Sequence, residues 1–388
     1  MVWLFISPEF PPNYYLFPWH FKSLGGTAVG IGHTLYHHLP PHVIQSLDWY
    51  EYVPDLHDTE AVIAAAQRIF EQFGKIDGVD SFNEYWLPLE AAIREALDIP
   101  GYRPAQLPDF QQKSRMKDYF RRAGISPIPG QVVHTPAEVE AFVREHQLPI
   151  IAKPDKGVGA SATFKIATPE ALKHFLSNFR PGYLLEKFIT GPIQTYDGLV
   201  DGNGSIVFAA SLEYSRGVAE VVSEDTDIFY WVQREIPPDV AEIGPRIVKA
   251  YELRGRFFHF EFIRSSETGQ IYPLEVNMRP PGYPTIDLFD FAHDIDLYRL
   301  WAEVTHGYPV TPPPPAKYYV CYISRKNHIG YMHTHEEILR KMQPVLLYHA
   351  ETNPLFRAAM GDYHYVIRTL DKEEMLEFAY LAQKRLTL

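Results

Sequence analysis

Cysteine is nearly absent from this chain. Cys321 stands alone among 388 residues, which excludes an internal disulfide and a cysteine-rich zinc site and fits a reducing compartment. Basic runs are missing too. The 36 Lys and Arg residues are outnumbered by 48 Asp and Glu, for a net charge of −12, so a nucleic-acid partner is not expected. No stretch reaches the ~20 apolar residues that span a bilayer, and no membrane partner is expected either. From Met1 to Pro8 there is no basic segment, and the apolar run is too short for a secretory signal. The expected location is the cytoplasm. Internal repeats and a P-loop signature are also lacking.

What is present is a large apolar content, 46% of residues with 14% aromatic, and 33 prolines. That composition fits a packed enzyme with rigid loops and enough length for two to four structural units. Over the first ~100 residues, short apolar runs at 2–6, 27–31 and 76–80 alternate with helical patterns at 14–24, 61–73 and 87–97. The alternation predicts an open parallel α/β sheet over residues 1–108. Ligands of such sheets sit beyond the carboxyl ends of the strands, which makes Ser7, Asn83 and Glu84 candidates for substrate contact, with helix or turn capping as the plainer reading. Gly30 and Gly32 do not make a dinucleotide fingerprint, because Leu35 stands where its third glycine belongs.

In the second half, residues 256–264 and 270–279 read as two strands joined by a short polar loop ending in Gly269, an antiparallel hairpin. Side chains alternate across a strand. Phe258, Phe260 and Phe262 therefore share a core face, with His259 and Glu261 opposite; on the second strand Glu275, Asn277 and Arg279 oppose Leu274, Val276 and Met278. Folding the hairpin gathers Glu261, Glu275 and Asn277, three hard oxygen donors suited to magnesium. The same alternation is also what any half-exposed hairpin shows.

The segment from Glu275 through Asn277 to Arg279 resembles the Glu-x-Asn-x-Arg segment of ATP-grasp enzymes. Further residues carry the resemblance in family order. A basic helix over 111–123 supplies Lys113, with Gly124 and Gly130 beyond it. A strand ending at Lys153 is followed by a glycine-rich loop, Lys156, Gly157, Val158, Gly159, Ala160 and Ser161, and then by an alternating strand at 163–166. Strand, loop, strand excludes the dinucleotide reading of Gly157, Gly159 and Ala162, which needs a helix next. A strand from Tyr183 leads to Glu186, Lys187, Phe188 and Ile189.

The resemblance implies a two-lobed ATP-grasp fold, with a small lobe over 109–183, a large lobe over 184–310 and an appended α+β segment over 311–388. It implies that Lys113, Lys153 and the glycine loop bind ATP phosphates and that Glu186 to Ile189 read the adenine edge. Glu261, Glu275 and Asn277 would hold Mg2+, with Mn2+ as the substitute. Arg279 and His259 would face the transferred phosphoryl group. Many relatives place an acid two residues past the glycine to hold the ribose; here Pro192 and Ile193 intervene, and Gln194 and Asp197 are the nearest polar substitutes. The implied activity is a carboxylate-amine ligase forming ADP from small-molecule substrates, with a homodimer left open. The alternatives are a biotin-carboxylase-like enzyme and a nucleotide-binding regulator without turnover. Carboxylation is disfavoured, since Tyr283 stands where the carboxylases carry a glutamate.

Overall fold

A computed structural model describes residues 1–157 and 163–386. Val158 to Ser161 of the predicted phosphate loop lie outside the described residues, with Ala162.

The first unit is a four-stranded parallel sheet in the order Trp49–Tyr52, Thr27–Gly32, Val2–Ile6, Gly78–Asp80. The helix Thr59–Phe73 covers one face because Val62, Ala65, Ala66 and Ile69 recur at helical spacing and are buried. Asp58 caps its start by accepting from the Ala61 N–H at 3.0 Å, and Gly74, at φ 75°, ends it in the left-handed region. The other face of the sheet is aromatic. Phe5, Phe17, Phe21 and Phe82 pack with Tyr298 and Trp301 of the helix Leu297–Thr305, Phe17 stacking on Phe82 at 3.7 Å and meeting Trp301 edge-on at 5.3 Å. This apolar seam fixes the first unit against the rest of the chain.

The small lobe is an antiparallel sheet ordered Gly130–Val133, Tyr183–Lys187, Ile150–Pro154, Phe164–Ile166. Helices Pro136–His146 and Pro169–Ser177 back it, each capped by a threonine: Thr135 for the Glu138 N–H and Thr168 for the Ala171 N–H.

The third body is a nine-stranded sheet built around Ile193–Val200 and the predicted hairpin, Arg256–Arg264 with Ile271–Asn277. Gly198 is required at its centre, because a Cβ there would lie 2.3 Å from the Phe208 carbonyl oxygen. The C-terminal segment is α+β, and its strands Tyr319–Arg325, Tyr363–Thr369 and Leu346–Glu351 continue this same sheet from Phe229–Val232 outward. The helical segment after the hairpin is split in two, Thr285–His293 and Leu297–Thr305. Asp294 breaks it at φ 54°, and Asp296 caps the second helix through the Arg299 N–H. His335 begins the helix His335–Met342 and bonds the Tyr365 hydroxyl at 2.8 Å through Nδ1. Among the described residues no helix is long and apolar enough to cross a membrane.

Candidate active site

The hairpin register places Glu261 directly opposite Glu275 and His259 opposite Asn277. Phe258, Phe260 and Phe262 are buried on the far face, as the alternation predicts. Leu274 departs from it. Between the pairs Glu261–Glu275 and Phe262–Pro273 one strand carries an extra residue, a bulge that leaves Leu274 unpaired. Val276 and Met278 stay in the core, whereas Leu274 turns into the cavity beside Glu275.

That cavity, about 340 Å³, lies between the two lobes. Lys113, Lys153, Glu186, Lys187, Phe188 and Ile189 line it together with Glu261, Glu275, Asn277 and Arg279. Sequence positions 113 to 279 thus converge on one space. Its apolar lining comes from Ile128, Ile151, Ile193, Ile263 and Leu274. The Lys113 ammonium starts the helix Lys113–Arg122, donates to the Gly157 carbonyl at 2.9 Å and sits 3.3 Å from Glu275 Oε1. Lys153 Nζ lies 2.6 Å from Glu186 Oε2. Lys156 and Gly157 border an adjoining, smaller cavity that shares Glu275 as a wall.

Several predicted residues sit differently from what the resemblance implied. Glu186 does not present a free carboxylate to a base: it is buried, with Lys117 on one oxygen and Lys153 on the other. Burial opposes its charge, but the two ammonium groups outweigh burial and hold it below the usual glutamate range. Burial likewise works against Lys153, and the Glu186, Glu275 and Glu261 carboxylates overcome it and raise its pKa. The backbone N–H groups of Lys187 and Phe188 are already engaged, by the carbonyls of Pro129 and Pro149.

Gln194 is turned off the cavity. Its amide nitrogen donates to Glu213 at 2.9 Å, and its oxygen accepts from Arg264 at 3.0 and 3.1 Å. Asp197 is buried behind His259, 2.5 Å from Nδ1, and also accepts from Thr195. Both are corrections to the ribose assignment: each polar group is consumed within the protein. His259 Nε2 lies 3.2 Å from Glu261. Burial disfavours the imidazolium, yet Asp197 and Glu261 together raise the pKa to about 9. His259 is therefore a charged link that orients Glu261 from behind, and it does not line the cavity.

Lys117, one turn after Lys113 on the same helix face, was within reach of sequence reasoning but carries no motif of its own. Tyr214 and the segment Gly217 to Ala219 line the cavity without any local signal. Of the first unit's candidates, Asn83 does cap a turn, accepting from the Tyr85 N–H at 3.0 Å. Ser7 is buried beyond the first strand, its N–H donating to Ile31. Glu84 reaches the site, 3.8 Å from Arg279 Nε.

Among the described residues no group of three or more His, Cys, Asp or Glu could hold a metal by itself. The donor set is two carboxylates and one amide oxygen, with cations close by. It fits a hard divalent ion whose remaining ligands are water and substrate phosphate, as magnesium prefers.

Three lobes in this arrangement, with a hairpin carrying Glu261, Glu275, Asn277 and Arg279 over an interlobe cavity, define the ATP-grasp fold. Solved structures agree. The L-amino acid ligase from Bacillus licheniformis superposes with a TM-score of 0.73 at 17% identity, covering 97% of this chain and 95% of that one. N5-carboxyaminoimidazole synthetase from Staphylococcus aureus complexed with ADP gives 0.71 at 14% identity, covering 98% and 96%. In sequence, the C-terminal section of the carbamoyl phosphate synthase large chain from Aquifex aeolicus (strain VF5) is 23% identical over 231 residues, 57% of this chain. The match spans 42% of that protein's length. No protein-family model matches the chain.

Proposed function

We propose that the protein is an ATP-dependent ligase that activates a small-molecule carboxylate as an acyl phosphate and joins it to an amine, releasing ADP and phosphate. The observation that carries this reading is the convergence of Glu261, Glu275 and Asn277 with Lys113, Lys153 and Arg279 on one interlobe cavity. The similar structures are named as a ligase and a synthetase, and one of them is complexed with ADP.

In the reaction, a carboxylate oxygen attacks the terminal phosphorus of ATP and the bond to ADP breaks. The amine nitrogen then attacks the acyl carbon, the carbon–oxygen bond to phosphate breaks, and the proton lost from nitrogen leaves with the phosphate as its monohydrogen form. The protein's part is to position and to neutralise. Lys113 and Lys153 offset the phosphate charge, and the apolar lining around Ile151, Ile263 and Leu274 accepts the flat base. Arg279, whose guanidinium donates to the Asn277 amide oxygen at 3.5 Å, faces the transferred phosphoryl group and the acyl carbon's developing oxyanion. Glu261, Glu275 and Asn277 would hold Mg2+, or Mn2+ in its place, and the ion would supply charge neutralisation at the terminal phosphates. His259 and Asp197 keep Glu261 aimed and ionised. Cys321 is buried and its thiol is pushed well above its usual range by burial, so it takes no part; a reducing, cytoplasmic setting suits it.

The position that would deprotonate bicarbonate in a carboxylase is the phenol of Tyr283, whose pKa is raised by burial and by Asp287. It is a poor base. The test is a screen of paired carboxylates and amines with Mg2+ and ATP for ADP and phosphate release, with product mass confirmed. Release that needs both partners supports the ligase; tight nucleotide binding with no turnover on any pair would leave the regulator instead.

A further inference from the structure

We propose that the amine enters as its ammonium ion and is held by Glu84 and Gln111 in the small cavity that shares Glu275 with the nucleotide cavity, an inference that rests on the ligase reading above. The smaller space has a volume of about 150 Å³ and is bounded by Glu84, Gln111, Glu275, the rings of Tyr85 and Phe110, and Lys156.

Two oxygens carry the argument. Glu84 is 6% exposed, and among the described residues its Oε2 and the buried Gln111 Oε1 accept no hydrogen bond; burial raises the Glu84 pKa, opposed by the Arg279 guanidinium and by the Gln111 side chain bonded to the same carboxyl. Each of these oxygens is an acceptor facing a space that water can fill, so a ligand that displaces the water has to return those hydrogen bonds. Arg279 Nε, at 3.8 Å, offsets the charge of Glu84 without bonding it. The chemical species that answers the Glu84 carboxylate and the Gln111 amide oxygen, with Glu275 as the second carboxylate on the lining, is a cation with several N–H donors. Lys156, the one cation on this lining among the described residues, is exposed. Glu84 opens the turn Glu84–Trp86, with Ser81, Phe82 and Asn83 between it and the parallel strand Gly78–Asp80, and Gln111 ends the short helix Leu107–Gln111.

Position completes the case. Glu275 is a wall of both cavities, so an amine seated here lies next to the phosphates and the acyl carbon; the ammonium gives one proton to the Glu84 carboxylate, and the lone pair so freed attacks the acyl carbon. At about 30 Å³ per water molecule the space holds roughly five waters, which limits the acceptor's reactive end to a short, unbranched amine.

The test compares two acceptors on the full chain. The twenty standard amino acids are supplied singly as carboxylates with Mg2+ and ATP, and the acceptor is either hydroxylamine, uncharged near pH 7, or methylamine, fully protonated there. Glu84→Gln is expected to raise the methylamine KM by about tenfold, the scale of one charge-assisted hydrogen bond, with a clearly smaller effect on hydroxamate formation. Gln111→Leu is expected to shift the same ratio in the same direction, which guards against a Glu84 variant that fails to fold. Equal losses on both acceptors would mean that Glu84 works only through Arg279 and would overturn the proposal. So would unchanged methylamine kinetics in both variants, or a wild-type chain that forms hydroxamates but never couples methylamine. Absence of hydroxamate with every acid would instead sink the ligase reading itself.

Discussion

Glu261 and Glu275 stand directly opposite each other on adjoining strands, an arrangement of like charges that weakens a sheet unless something between them compensates. Lys113 meets one carboxylate at 3.3 Å and His259 the other at 3.2 Å. The pair makes sense as a place where positive charge is wanted.

Glu275→Gln keeps the shape and removes one of the two charges. ATP turnover should fall by at least a hundredfold, while stability stays within about 1 kcal/mol of wild type, because relief of the repulsion offsets the lost Lys113 contact. ADP release assays and thermal denaturation read the two halves separately. Undiminished turnover would remove Glu275 from the metal set.

Lys153→Ala should raise the ATP concentration needed for half-maximal rate by about tenfold, since one charge-assisted contact to phosphate is lost. Lys117 remains on Glu186, so the buried carboxylate keeps a partner and the fold should survive. Calorimetric titration of ATP into the variant gives the answer; equal affinity would end the phosphate role.

ATP with Mg2+ should raise the melting temperature by several degrees, the equivalent of about 2.7 kcal/mol when ligand is a hundredfold above its Kd. Adding EDTA in excess should erase most of that rise. A shift indifferent to EDTA would show that nucleotide binds without the carboxylate–amide cluster.

His364 offers a pH prediction away from the site. It is buried against Tyr322 and Tyr348, bonds Thr352 at 3.1 Å, and burial together with nearby His349 lowers its pKa to about 4 from 6.5. The unfolded chain therefore binds this proton first as pH falls. Stability from His364 is complete above pH 6.5 and drains away between there and pH 4, by on the order of 3 kcal/mol. His364→Phe, which keeps the ring stacking, should flatten that limb in urea denaturation measured from pH 7 to 4. An unchanged slope would assign the acid sensitivity to other groups.

The hairpin was legible because strand periodicity and the spacing of Glu275, Asn277 and Arg279 are local facts. So were the parallel sheet of the first unit and the lysines at 113 and 153. What could not be read was long-range or depended on register. Leu274 changes face through one unpaired residue, and a bulge leaves no mark in the side-chain pattern. Glu186 finds Lys117 and Lys153 from separate elements, so its burial as a shared counter-ion follows only from packing. Gln194 and Asp197 were nominated by nearness in sequence to a missing acid, and the sheet spends both on Arg264, Glu213 and His259. The strand Phe229–Val232 is buried throughout, so it shows no alternation to distinguish it from any other apolar run.

That strand has one further implication. Phe229–Val232 pairs on one side with Leu212–Tyr214 and on the other with Tyr319–Arg325 from the last part of the chain. A protein cut near Thr311 would keep every group assigned to nucleotide chemistry. It would nonetheless bare a continuous apolar ribbon with open amides, a template for sticking to its own kind. The tail thus acts as a permanent edge guard, and the part of the chain before it cannot be harvested without it.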